Sequence, residues 1–199
     1  MVEGCIISKN KGIHMSKVLV PLAKGFEEIE AVSIIDILRR GEIEVLIASL
    51  DDNSLVEGAN GITIQTDGCI KEVDSTLLDM IVLPGGWDGT HALAKDENVQ
   101  RILKEMDAKG KNIAAICAAP FALNKAGVLK QNYTCYPSVE EEIRVEGYQG
   151  EKSMVVQDAN VMTSRGPATA LCFALEIVKK LKGEESYKAI KEGVLATYC

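Results

Sequence analysis

The sequence predicts an α/β fold, a mostly parallel sheet with helices on both faces. Short apolar runs of strand length recur along the chain, as in Lys17–Leu22 (KVLVPL), Met80–Leu83 (MIVL) and Asn112–Ile116 (NIAAI). Between them stand stretches with helical spacing, several ended by glycine. Strand and helix alternate throughout, and that alternation implies β-α-β units.

The elements follow in order. Lys17–Leu22 reads as a buried strand, and Glu27–Arg40 as a helix stopped by Gly41. Glu44–Leu50 is a second strand. Asp51–Asn60 is rich in turn residues, and Ile62–Thr66 alternates as an edge strand does. Met80–Leu83 runs into Pro84-Gly85-Gly86. Val99–Lys109 has its apolar residues Val99, Ile102, Leu103 and Met106 at helical spacing and ends at Gly110. Asn112–Ile116 leads to Cys117, and Pro120–Ala126 is a helix stopped at Gly127. Val155–Gln157 and Val161–Thr163 read as strands. Pro167–Leu181 is a strongly amphipathic helix, and a shorter one from Glu184 to about Lys191 follows.

Composition narrows the functional classes. The 199 residues are 47% hydrophobic and 26% charged, an ordinary globular balance that suits one domain over residues 15–199. A net charge of −7 with no cluster of Lys and Arg argues against a direct nucleic-acid grip. No apolar run is as long as a membrane span, so a cytoplasmic protein is expected. Met1–His14 show neither strand nor helix period and no signal-peptide core. They are expected to be a disordered extension or a remnant upstream of Met15.

The six cysteines, at positions 5, 69, 117, 135, 172 and 199, are widely and irregularly spaced. There is no CxxC pair and no Cys/His cluster of zinc spacing, so no metal and no disulfide framework is expected. Free thiols in a reducing compartment are the expectation, most of them inert small hydrophobes.

Cys117 differs because it stands at a strand-to-helix junction, Ile116-Cys117-Ala118-Ala119-Pro120. A side chain at such a turn is pushed out above the sheet, as in a nucleophile elbow. The turn needs small neighbours and has them, Pro120 suits the first helical turn, and the helix N-terminus favours a thiolate. The competing reading is a buried space-filling cysteine.

Glu30 falls on a helical stripe with Phe26, Ser33, Ile34 and Ile37. A carboxylate there needs a partner or a proton, which makes it a candidate for proton exchange with a thiol or a substrate oxygen. It reads equally as a capping or snorkelling glutamate. Gly85 and Gly86, after a buried strand, can aim backbone N–H groups at an oxyanion or simply make a turn.

His91 is read as a surface residue near the start of a helix, and His14 lies in the extension, so a Cys-His hydrolytic dyad has little support. Trp87 either walls a pocket or shields surface. Thr163-Ser164-Arg165-Gly166-Pro167 supplies hydroxyl and guanidinium contacts to an anionic substrate, or else forms a loop with a helix cap.

Four ordered motifs together resemble the ThiJ/PfpI superfamily, in the branch of the parkinsonism-associated protein deglycase and bacterial YajL. They are Ala23-Lys24-Gly25-Phe26-Glu27-Glu28-Ile29-Glu30, Leu83-Pro84-Gly85-Gly86, Ala114-Ala115-Ile116-Cys117-Ala118-Ala119-Pro120 and Thr163-Ser164-Arg165-Gly166-Pro167. The resemblance covers about residues 17–194. It implies a flavodoxin-like three-layer sandwich and a homodimer. It assigns the reactive cysteine to Cys117, its carboxyl partner to Glu30 and a backbone oxyanion site to Gly86 with Ala118. It also implies a glyoxalase or deglycase that needs no cofactor and acts on 2-oxoaldehydes or their early adducts on proteins or nucleotides. The alternative it carries is an oxidative-stress sensor or chaperone regulated through Cys117. Two positions depart from the pattern: Tyr136 stands where some relatives carry histidine, and Ala118 stands where protease-like members carry histidine. The second argues against peptidase activity.

Overall fold

The structure, a computed structural model, describes residues 15–199. The expectation for Met1–His14, with Cys5 and His14, lies outside the described residues. In chain order the elements are β1 (Lys17–Leu22), α1 (Glu28–Arg40), β2 (Glu44–Ser49), β3 (Leu55–Glu57), β4 (Thr63–Gln65), β5 (Gly68–Cys69), β6 (Met80–Leu83), α2 (Trp87–Lys95) and α3 (Glu97–Ala108). They continue with β7 (Asn112–Ile116), α4 (Pro120–Ala126), α5 (Val139–Ile143), β8 (Val155–Asp158), β9 (Val161–Ser164), α6 (Ala170–Lys182) and α7 (Glu184–Gly193).

Seven strands make one sheet in the order β5-β2-β1-β6-β7-β9-β8. All its pairings are parallel except β8 with β9 at one edge. Successive side chains of a strand point to opposite faces, and both faces are filled. Val18, Val20 and Leu22 of β1 join the core that holds Ile34 and Ile37 of α1 and Phe173 and Ile177 of α6. Leu19 joins the opposite core, with Ile102 and Met106 of α3 and Leu123 of α4. The expected flavodoxin-like three-layer sandwich is therefore the observed one.

The chain leaves β1 for β2 on one side and later returns to β6 on the other side of β1. The gap between β1 and β6 is thus a topological switch point, where the carboxyl ends of parallel strands open a crevice.

Four differences from the sequence reading have physical causes. The alternating segment at 62–66 is shorter, and β4 pairs with β3 in a separate antiparallel hairpin instead of joining the main sheet. The buried Glu28 carboxylate holds that hairpin's turn, accepting the N–H groups of Asn60 and Ile62 and the Asn60 amide. The two-residue β5 has no period to read. The five-residue α5 is too short for helical spacing to show. Cys172 and Cys199 are not free thiols; they form a disulfide, with Cα atoms 5.1 Å apart. Their separation of 27 residues carries no pattern, and only the return of the chain end from α7 onto α6 brings them together. Among the described residues the free cysteines are Cys69, Cys117 and Cys135.

Candidate active site

Cys117 follows β7 directly and adopts φ +63°, a left-handed conformation that a residue with a Cβ rarely takes. Two backbone hydrogen bonds hold it there: its N–H donates to Ser164 O at 3.0 Å, and its carbonyl accepts from Tyr136 N at 2.9 Å. The left-handed turn costs on the order of 1–2 kcal/mol and persists because neighbouring elements impose it. Buried Ala118 and Ala119 leave room for it, and Pro120 opens α4 at once.

Glu30 lies in the first turn of α1, whose N-cap is Glu27; the Glu27 carboxylate accepts from the Glu30 N–H at 2.8 Å. Capping by Glu27 frees the Glu30 side chain to turn inward, where it is 0% exposed. Its Oε2 accepts from the Gly85 N–H at 2.8 Å, and its Oε1 is buried without a hydrogen-bond partner. Burial is the main cause that pushes its pKa up to about 7, against the pull of the Gly85 N–H and the Cys117 side chain.

The glycines are dictated by space. A methyl group on Gly85 would stand 2.6 Å from Cys117 Cβ and 2.7 Å from Glu30 Oε2. One on Gly86 would stand 2.2 Å from Gly25 O, and its φ of +90° also favours glycine. The N–H groups of Gly86 and Ala118 are directed at the Cys117 sulfur and favour its ionised form. Burial, and next the Glu30 charge, push the thiol well above its ordinary range. A carboxylate and a thiolate this close do not both ionise readily, so the pair keeps at least one proton over the neutral range.

A cavity of about 590 Å³ opens over Cys117 and Ala118, walled by Trp87 and Tyr136 and rimmed by Ser138, Val139, Glu141 and Glu142. Trp87 thus proves to be a pocket wall. Tyr136 stands out in the sequence only as a departure from the family pattern, and the α5 residues are additions that sequence reading missed. The available signal was Ser138 followed by Glu140-Glu141-Glu142, the acidic first turn of a helix.

Arg165 does not line this cavity. Its guanidinium meets Glu151 at 3.2 Å. The same segment closes the start of α6 through Ser164 and Gly166: Gly166 N–H donates to Thr169 Oγ1 at 3.1 Å, and Ser164 Oγ lies 2.8 Å from that oxygen, while Thr163 Oγ1 accepts from Thr134 N–H at 2.9 Å. His91 packs edge-on against Trp87 and Phe121, with ring centroids 4.5 Å and 5.0 Å away, and is not part of the lining. Among the described residues no group of three or more His, Cys, Asp or Glu is placed to hold a metal. None of the described helices is long and apolar enough to cross a membrane.

A doubly wound sheet with a cysteine forced into a left-handed elbow beside its switch point, facing a buried carboxyl, defines a thiol-bearing α/β protein. The chain belongs to the DJ-1/PfpI family, which it matches over residues 16–180. It is 39% identical over 186 residues to protein dj-1beta of Drosophila melanogaster, covering 92% of this chain and 100% of that one. It is 36% identical over 164 residues to the glutathione-independent glyoxalase DJR-1.2 of Caenorhabditis elegans, covering 82% of this chain and 87% of that one. The crystal structure of Drosophila melanogaster DJ-1beta superposes with a TM-score of 0.87 at 38% identity, covering 91% of this chain and 98% of the other. Oxidized Toxoplasma gondii DJ-1 gives 0.83 at 36% identity, covering 90% and 98%.

Proposed function

We propose that the protein is a cysteine-dependent glyoxalase or deglycase acting on 2-oxoaldehydes, or on their early adducts with proteins or nucleotides, without a cofactor. The observation that carries this reading is Cys117 at the base of a cavity with the buried Glu30 carboxyl within hydrogen-bonding reach behind it. The similarity to a relative named a glutathione-independent glyoxalase supports it.

In this reading the Cys117 sulfur adds to the aldehyde carbon, and the oxyanion meets the N–H groups of Gly86 and Ala118. The hemithioacetal keeps its proton count. Glu30 removes the hydrogen on the former aldehyde carbon and returns a proton to the neighbouring carbon, so the first carbon is oxidised as the second is reduced. The thioester that results is hydrolysed by water, releasing a 2-hydroxy acid and the thiol. No external oxidant or reductant is needed. Gly85 acts by holding the Glu30 carboxyl. A cytoplasmic homodimer belongs to this reading, and light scattering tests the dimer.

The deciding experiment is steady-state turnover of methylglyoxal without added glutathione, wild type against Cys117→Ala. Turnover by wild type that vanishes in a folded Cys117→Ala protein supports the reading, and equal turnover removes it.

A second reading has its own observation. Glu30 Oε1 is buried with no hydrogen-bond partner, and a protonated carboxyl facing Cys117 would donate to an oxygen on a sulfinic acid there. Peroxide is the oxidant in that reading, and Cys117 is a sensor that does not turn over.

A further inference from the structure

The charge of the cavity rim is unbalanced. Glu141 and Glu142 are exposed, border the space over Cys117, and form no ion pair among the described residues. Their neighbour Glu140 turns inward instead and faces Cys135. No lysine or arginine lines the cavity. Arg165 is engaged with Glu151, and the Lys125 ammonium lies 5.0 Å over the Phe121 ring. The remaining walls are Trp87 and Tyr136, both about half exposed, whose ring faces attract cations.

We infer that Glu141 and Glu142 set the charge of the electrophile that reaches Cys117: cationic and neutral carbonyl compounds are admitted, and those bearing carboxylate or phosphate are rejected. The inference rests on the proposed use of Cys117 as a nucleophile and adds the substrate class. Two uncompensated carboxylates beside a partly desolvated path attract a cation and repel an anion, while a neutral molecule feels neither force. Aromatic walls add to the preference for a cation, and without a guanidinium in the lining nothing offsets the repulsion of an anion. The preferred substrates are therefore 2-oxoaldehydes carrying an ammonium or guanidinium group, or 2-oxoaldehyde adducts on such groups. A purely structural role for the two residues, as acidic partners of the α5 N-terminus, would leave charge selection unchanged.

The test compares cationic, neutral and anionic methanethiosulfonates of similar size, scoring mixed-disulfide formation at Cys117 by peptide mass spectrometry. This readout does not depend on turnover. The cation-to-anion rate ratio should exceed one in the wild type. It should fall by about 10-fold in Glu141→Gln/Glu142→Gln at low ionic strength, with the neutral reagent changed by less than about 2-fold. Glu185→Gln/Glu192→Gln on α7 makes the same change in net charge and should leave the ratio within about 2-fold of wild type. In wild type alone the ratio should collapse as salt rises from ~0.01 M to ~1 M and the Debye length falls from about 30 Å to about 3 Å. An unchanged ratio in Glu141→Gln/Glu142→Gln, or an equal fall in the α7 control, overturns the inference. A second arm measures kcat/KM for phenylglyoxal and its para-carboxy and para-trimethylammonio derivatives in the same variants. Absence of turnover with all three, together with the expected thiosulfonate ratios, would overturn the glyoxalase reading and uphold charge selection at Cys117.

Discussion

Cys117 and Glu30 meet across the bare α-carbon of Gly85. The space a methyl group would fill there is already taken by Cys117 Cβ at 2.6 Å and Glu30 Oε2 at 2.7 Å, and the Gly85 N–H fixes the carboxyl at 2.8 Å. The pair exists because the first turn of α1 and the ends of β6 and β7 meet with no side chain between them.

Gly85→Ala tests that relationship. The added methyl must displace either the sulfur or the carboxyl, at a cost of about 1–3 kcal/mol. A lower denaturant midpoint and a changed rate of thiol alkylation are expected together, faster if the carboxyl is displaced, because its charge holds the thiol up. An unchanged alkylation rate in the destabilised protein would show that the contact is not what tunes the thiol.

Glu30→Gln keeps the shape and removes the proton exchange. Turnover of a 2-oxoaldehyde should fall by about 10²-fold or more, with Glu30→Asp intermediate. Wild-type turnover in a folded Glu30→Gln protein excludes the catalytic role.

The Glu30 proton also links stability to pH. The carboxyl ionises at about 7 in the folded protein and at its ordinary 4.5 in the unfolded chain. Between these values the folded state keeps a proton that the unfolded state has lost. Stability therefore falls as pH rises through this window and levels off above it, by on the order of 3 kcal/mol. Urea midpoints at the two ends of the window should diverge in wild type and much less in Glu30→Gln. Equal slopes in both proteins would mean that Glu30 is ionised in the fold.

The left-handed backbone at Cys117 reverses the usual order of glycine and alanine. Cys117→Gly should be more stable than Cys117→Ala by about 1 kcal/mol, although both lack the thiol. Chemical denaturation of the two variants decides this, and a more stable alanine variant would refute a strained turn.

The Cys172–Cys199 disulfide closes a segment of 27 residues and ties the chain end to α6. Cys199→Ser should cost about 3 kcal/mol, and wild type measured with reductant should match it. Peroxide should then oxidise Cys117 ahead of Cys69 and Cys135. Cys117 lines an open cavity with the N–H groups of Gly86 and Ala118 directed at its sulfur, Cys135 is fully buried, and the paired cysteines have no thiol to offer. Peptide mapping under non-reducing conditions reads both outcomes.

Local order determined what the sequence revealed. β1, β6 and β7 are apolar on both faces, and the observed bounds of all three agree with the sequence reading. Small residues and Pro120 around Cys117 marked a strand-to-helix junction, because only a tight turn requires them there. Glu30 was visible as a carboxylate on an apolar stripe, but its pattern also fitted a cap; in the fold Glu27 takes the cap and Glu30 turns inward. The tertiary structure decided everything that depends on strand order. Placing β6 between β1 and β7 brings Glu30, Gly85 and Cys117 together from positions 30, 85 and 117. The same folding lays Tyr136 and α5 over the sulfur, turns Arg165 to Glu151, and joins Cys172 to Cys199. Period and propensity act over a few residues, whereas these contacts are made by segments tens of residues apart, and only the packing of the whole sheet brings them together.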